Sequence, residues 1–156
     1  MNPKSWKDSA TETVQVVLPN DSNPLGFMLG GSVMHLIDIT GAIACHRHTN
    51  TLALTAAVDG LEFVHPIKMG DVVILKSRVT ATFRTSLEVE VEVFSEEILS
   101  GTRRRTSRAY LTFVSIDRDG KPQVVPPLAL ETPEDETLNR EAHQRRAARL
   151  ASRASR

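Results

Sequence analysis

Gly30-Gly31-Ser32-Val33-Met34-His35-Leu36-Ile37-Asp38-Ile39-Thr40-Gly41-Ala42-Ile43-Ala44-Cys45-His46-Arg47-His48 is the stretch on which the fold turns. Val33, Leu36, Ile37, Thr40 and Ala44 recur at steps of three and four, the period of an α-helix. Met34, Ile39 and Ile43 are apolar as well, so the expected helix is hydrophobic on nearly all sides. That pattern belongs to a buried helix rather than one laid on a surface. Gly31, Gly41, Ala42 and Cys45 keep one stripe small, which lets another backbone or a ligand come close.

On either side of this helix the chain reads as strands. Upstream, Thr11 to Leu18 alternates as a strand and runs into the turn-rich segment Pro19-Asn20-Asp21-Ser22-Asn23-Pro24. Downstream, Leu52 to Phe63 is mostly apolar, with Gly60 placed for a bulge or bend. Val72 to Phe83 is rich in Val, Ile and Thr. Leu87, Val89, Val91 and Val93 then alternate with Glu88, Glu90 and Glu92, the clearest period of two in the chain. Arg103 to Ile116 is a further strand, closed by Asp117-Arg118-Asp119-Gly120-Lys121. From Glu134 to about Ala151 the chain is polar and Arg-rich, a helix or a frayed tail. One antiparallel sheet curled around one helix, an α+β arrangement, accounts for this order. The expected divisions are an N-terminal tail (1–10), one domain (11–130) and a C-terminal Arg-rich segment (131–156).

The 156 residues fit a single domain able to bury a core without staples. Nineteen Lys and Arg balance nineteen Asp and Glu, so net charge points to neither nucleic acid nor membrane. The balance hides an asymmetry: Asn139 to Arg156 holds six arginines and one glutamate. A solvated or disordered tail is the expected reading of that segment, with RNA or acidic partners as the other. Aromatic residues make up only 4%, which argues against stacking on nucleobases. Cys45 is the single cysteine, so no internal disulfide forms. The polar segment Met1 to Ser9 is no signal peptide, and no apolar run spans a bilayer. These features point to a cytoplasmic protein.

Three places carry possible chemistry. Asp38 sits between Ile37 and Ile39, where a carboxylate is costly unless paired or turned to a cleft; His35, one turn earlier, is the nearest partner. Gly30 and Gly31 open the helix, where the first N–H groups lack intrahelical partners and the dipole favours a developing anion. They serve equally well to ease the loop into the helix. Asp38 lies about two turns further along the same face. Asn23 stands in the loop before the helix, and Asn-Pro alone is an ordinary turn. His46 and His48 cannot share a helix face, and no acid or Cys cluster completes a set, so no metal is expected. Cys45 reads as a small packing residue.

Taken together, Asn20-Asp21-Ser22-Asn23-Pro24-Leu25-Gly26, Gly30-Gly31, Asp38 and Gly41-Ala42 resemble the acyl-CoA hydrolase family of hotdog thioesterases. Further matches follow at Phe63, Pro66, Gly70-Asp71-Val72, Arg84-Thr85-Ser86 and Leu111 to Asp117, so the resemblance spans about Thr11 to Pro127. It implies a hotdog fold: a sheet wrapped around a central helix, two copies pairing as a homodimer and gathering into tetramers or hexamers. It also implies hydrolysis of acyl-CoA to free acid and CoA, by Asn23 of one subunit and Asp38 of the other. Some relatives carry His before the glycine pair; Leu29 stands here, and no role goes to it.

A thioester is already a reactive acyl donor, so a strong nucleophile is not needed. Asp38 acts as general base on water or attacks the carbonyl itself; both routes stay open. N–H groups at Gly30 and Gly31 stabilise the oxyanion, and Asn23 orients water or thioester. CoA is substrate and product, and no separate cofactor is expected. Its phosphates call for cations; Arg84 with Thr85 and Ser86, and the run Arg103-Arg104-Arg105, are the candidates, each equally readable as a solvated strand end. A hotdog dehydratase or hydratase using His35 with Asp38 is the second reading. A non-catalytic acyl-CoA sensor, which has no use for an acid at Asp38, is the third.

Overall fold

A computed structural model describes residues 1–155, so the last residue of the Arg-rich segment lies outside it. Five strands form one antiparallel sheet: β1 (Thr11–Val16), β2 (Leu52–Phe63), β3 (Val72–Thr82), β4 (Ser86–Glu96) and β5 (Arg103–Ile116). Their spatial order is β1-β3-β4-β5-β2. Helix α1 (Gly30–Thr49) packs on one face and helix α2 (Pro133–Ala154) on the other. Strand β1 ends two residues before the expected Leu18, where the chain enters the single turn Pro19–Asp21. Gly60 takes a left-handed φ of 65° beside a register shift between Asp59 and Glu62, a bulge.

The core lies between α1 and the sheet. Val33, Ile37, Ala44 and Cys45 of the helix meet Leu87, Val89, Val91 and Val93 of β4 and Leu111 and Phe113 of β5. Each valine of that β4 row is fully buried, which stabilises the fold by roughly 1.5–3 kcal/mol apiece. The small stripe is used at Gly41: a Cβ there would meet Phe113 and Val91 at 3.4 Å. Asn50, left-handed at φ 55°, ends α1 by donating its N–H to the His46 carbonyl.

The helix is not covered on all sides in the single chain. Met34, Ile39 and Ile43 face outward, with Met34 48% exposed. The sheet closes over one side of α1 only, so its all-round apolar sequence leaves a bare face. Strand β2 adds to it. It is a 12-residue edge strand that exposes Leu52, Leu54, Val58 and Phe63.

The C-terminal segment is a docked helix, not a solvated or disordered tail. Thr132 and Asp135 close a capping box at its start. Asp135 also accepts from Arg78 at 2.8 Å, and Arg78 lies under the Trp6 ring at 3.9 Å. On the glutamate side of β4 both Glu88 and Glu90 are buried: Arg145 of α2 reaches Glu88, whereas Glu90 lines a cleft with Trp6 and Arg78. Arg145 grips Glu88 with two hydrogen bonds of 3.0 and 2.8 Å. Arg149 pairs with Asp59 at 2.8 Å. Residues 1–10 are held too, Lys4 donating to the His48 carbonyl and to Asn50.

Burial pushes the Glu90 carboxyl up from its ordinary 4.5, and the charge of Glu92 adds to this. Arg108, Arg78 and the Tyr110 hydroxyl pull the other way. The folded state therefore holds this proton more tightly than the unfolded chain does. Stability falls as pH rises through 4.5 towards the raised folded value, and the loss persists above it. Unfolding Glu90→Gln in urea at several pH values should show it gaining on wild type as pH rises. A difference independent of pH would contradict this.

Candidate functional site

The loop before α1 fixes Asn23 by a local trap. Its Oδ1 accepts the N–H groups of Leu25 at 3.0 Å and Phe27 at 3.1 Å, while its own N–H donates to the Phe27 carbonyl. With the oxygen satisfied twice, the side-chain NH2 is the free end, and it has no partner among the described residues. Asn23 therefore offers a donor, suited to a carbonyl or oxyanion rather than to a water's proton.

Asn23 lines a cleft of about 380 Å³ together with Gly30, Val33, Phe63, His65 and Thr106. Gly30 meets the Phe63 ring, which would lie 3.5 Å from an added Cβ. The Gly30 and Gly31 N–H groups find no acceptor among the described residues, as the first turn of a helix requires. The two glycines part company here, however. Gly31 opens on a separate cleft with Asp21, Ser32 and His35. Leu29 stands at the N-cap without a capping side chain.

Asp38 is not a buried acid in the single chain: it is exposed, and its partner is not His35. The Thr55 hydroxyl of β2 donates to its Oδ1 at 2.7 Å. It lies on the outward part of α1, away from the cleft that holds Asn23. One chain thus presents a donor half, Asn23 with Gly30, and an acid half, Asp38 with Thr55. Thr55 and His65 carry no sequence signal; each becomes visible only once β2 and its following loop are placed.

The arginine candidates separate as well. Arg103 pairs with Glu96 at 3.1 Å and Arg105 with Glu92 at 3.3 Å across the β4–β5 ladder. Arg104 opposes Ser95 between them. Alternation of side chains thus breaks the run into two paired cations and one on the other face. Arg84 lies exposed in the β3–β4 turn with no ion pair among the described residues. Thr85 is held there by its carbonyl, which accepts from Ser115. Ser86 lines a cleft under α2.

His48 is buried with Nε2 at 2.8 Å from the Pro126 carbonyl, whereas His46 is exposed and meets the Thr51 carbonyl. Burial pushes the Cys45 thiol up to about 12, which leaves no thiolate for attack. No helix of the described residues is long and apolar enough to cross a membrane.

A five-stranded antiparallel sheet around a long helix, with a cleft at that helix's N-terminus, is a hotdog fold. Within that class, the model of the Thioesterase superfamily matches residues 25–102, and the chain belongs to this family. A Bacillus subtilis relative, described as an uncharacterized acyl-CoA thioester hydrolase, is 37% identical over 139 residues, covering 89% of this chain and 81% of that one. Among solved structures, an apo-hexameric acyl-CoA thioesterase superposes with a TM-score of 0.95 at 36% identity, over the whole of both chains. An acyl-CoA hydrolase from Staphylococcus aureus, solved with butyryl coenzyme A and coenzyme A, superposes at 0.90 with 32% identity, covering 97% and 93%. Three further structures of that enzyme carry alanine in place of an aspartate, a threonine and an asparagine.

Proposed function

We propose that this protein is an acyl-CoA thioesterase that hydrolyses acyl-CoA to a free acid and CoA in sites shared between two subunits. One observation carries the reading: a fixed amide donor and a carboxylate lie on separate surfaces of the same chain. The asparagine, aspartate and threonine replaced in the Staphylococcus aureus enzyme stand 15 and 17 positions apart. Asn23, Asp38 and Thr55 keep the same spacings. The bare face of α1 and the unpaired edge of β2 support a partner copy, since exposed edges are normally covered. The hexameric relative supports further assembly.

In this mechanism Asn23 Nδ2 and the Gly30 N–H bind the thioester oxygen and stabilise the charge that develops there. Asp38 of the facing subunit takes a proton from water as it attacks, or attacks the carbonyl itself to give an anhydride that water then opens. Thr55 fixes one carboxylate oxygen, so the other is turned to the reacting atom. Collapse of the tetrahedral intermediate expels the CoA thiolate. CoA enters as substrate and leaves as product, and no metal or further cofactor has a step. Asp38 bonds Thr55, and no hydrogen bond joins it to His35 of the same chain, which supports hydrolysis over the His–acid pair of a hydratase. Cys45, free and buried, goes with the cytoplasmic location that belongs to this reading.

A panel of acyl-CoA substrates with a free-thiol reagent tests the activity, and CoA release is expected. No release across short and long chains would refute it. Asn23→Asp keeps an oxygen for the Leu25 and Phe27 N–H groups but removes the donor and adds a charge. Its kcat should fall by about 10²–10³ with unchanged thermal unfolding. A loss confined to KM would remove Asn23 from oxyanion stabilisation.

A further inference from the structure

Helix α2 meets the sheet through arginines where an ordinary surface helix would use apolar side chains. From Gln144 to Ser155 it carries Arg145, Arg146, Arg149 and Arg153 and no acid. Two clefts lie beneath this half. One, of about 520 Å³, is bounded by Arg146, Arg149 and Arg153 on the helix and by Ser86, Thr112 and Val114 on the sheet. Its neighbour, about 550 Å³, shares Arg149 and Arg153 and includes Asp59. Two carboxylates form ion pairs with these four guanidinium groups, Glu88 with Arg145 and Asp59 with Arg149, and Glu141, one turn before Arg145, adds its charge at that residue. Arg146 and Arg153 have no acidic partner among the described residues. Arg146 lies over the Phe83 ring at 4.4 Å, a contact that uses the face of the guanidinium and leaves its N–H groups free.

The helix dipole accounts for a cation in the last turn, Arg153. It does not account for Arg146, two turns earlier and half-buried. We infer that the cleft beneath α2 is a binding site for a phosphorylated nucleoside, with Arg146 and Arg153 holding the phosphates. Ser86 and Thr112 supply hydroxyl donors, and Val114, Leu150 and Ala56 an apolar wall for the base. Two charged forks without carboxylates, converging on a space of this size, match a phosphate pair better than a single anion. Acyl-CoA carries such a group at its adenosine end. Assigning the cleft to CoA rests on the thioesterase reading, whereas the anion site itself does not.

The test uses the full chain and adenosine 3′,5′-bisphosphate as probe, with binding followed by calorimetry. Arg146→Gln/Arg153→Gln keeps helix propensity and removes both forks. Arg118→Gln/Arg140→Gln removes the same charge from exposed positions outside the cleft. The first pair should weaken binding at least ~10-fold, and the second should leave it close to wild type. If the group belongs to CoA, the first pair also raises KM for acyl-CoA but not for acyl-pantetheine. Weakened binding with KM for acyl-CoA unchanged keeps the site and assigns it to a free nucleotide. Equal weakening by both pairs, no weakening, or no binding by wild type overturns it. Binding is read without turnover, so a chain that hydrolyses no thioester counts against the enzyme reading alone.

Discussion

Asp38→Asn is expected to lower kcat for acyl-CoA hydrolysis by at least ~10² while the protein folds as before. Both base and nucleophile routes need the carboxylate, and an amide supports neither. The fold has little stake in that charge. Asp38 is exposed, and the acceptor that Thr55 uses at 2.7 Å is retained by asparagine. Stability should change by no more than about 0.5 kcal/mol. Steady-state kinetics beside thermal unfolding checks both halves of the statement, and turnover near wild type would remove Asp38 from the chemistry.

The largest stability effect is expected at Arg145, far from the reacting atoms. Its guanidinium closes a fork on Glu88, whose side chain is only 3% exposed, and lies over the Tyr110 ring at 3.5 Å. Arg145→Ala leaves a buried carboxylate with the Thr80 hydroxyl as its remaining donor. Breaking one side of such a pair costs about 3 kcal/mol, which for a chain of this size is a drop of roughly 6–12 °C in Tm. Arg145→Lys should fall between, because an ammonium cannot reproduce the fork. A loss below about 1 kcal/mol would mean that α2 is held by other contacts.

Elements of the fold differ in how far the sequence discloses them. Strand β4 is legible because Leu87, Val89, Val91 and Val93 alternate without a break, and α1 because apolar residues recur at helical steps. What covers each face is less legible. An all-apolar helix reads as buried, yet Met34 and Ile43 lie open, since periodicity reports which faces avoid water and not which copy of the chain shields them. Conversely, Glu88 and Glu90 stand on the charged side of that alternation and yet are buried, and the arginine that pairs with Glu88 arrives from 57 residues later. The same distance hides how α2 is held: its composition leaves helix and frayed tail open until Glu88 and Asp59 are seen to receive its arginines.

The site divides in the same way. Asn23, Gly30 and Asp38 stand out through the family pattern. That Asn23 presents its NH2 follows only from where the Leu25 and Phe27 N–H groups point. Thr55 is invisible in advance, being one threonine in an edge strand, and only the curl of the sheet lays it against Asp38. The arginine run at 103–105 does not disclose its own pairing: neighbours in a strand face opposite ways, and glutamates of β4 pair with two of the three.

In the proposed site Asn23 and Asp38 complete each other across two subunits. Mixing tests it most directly. Asn23→Asp and Asp38→Asn chains, each nearly inactive alone, are unfolded together in equal amounts and refolded, with subunit exchange confirmed by native mass measurement. Random pairing places about half of the chains in mixed pairs, and each mixed pair has one site with both defects and one with neither. Activity should return to about a quarter of wild type. If both residues serve one site within a single chain, every site keeps a defect and the mixture stays inactive, a result that would contradict the shared site.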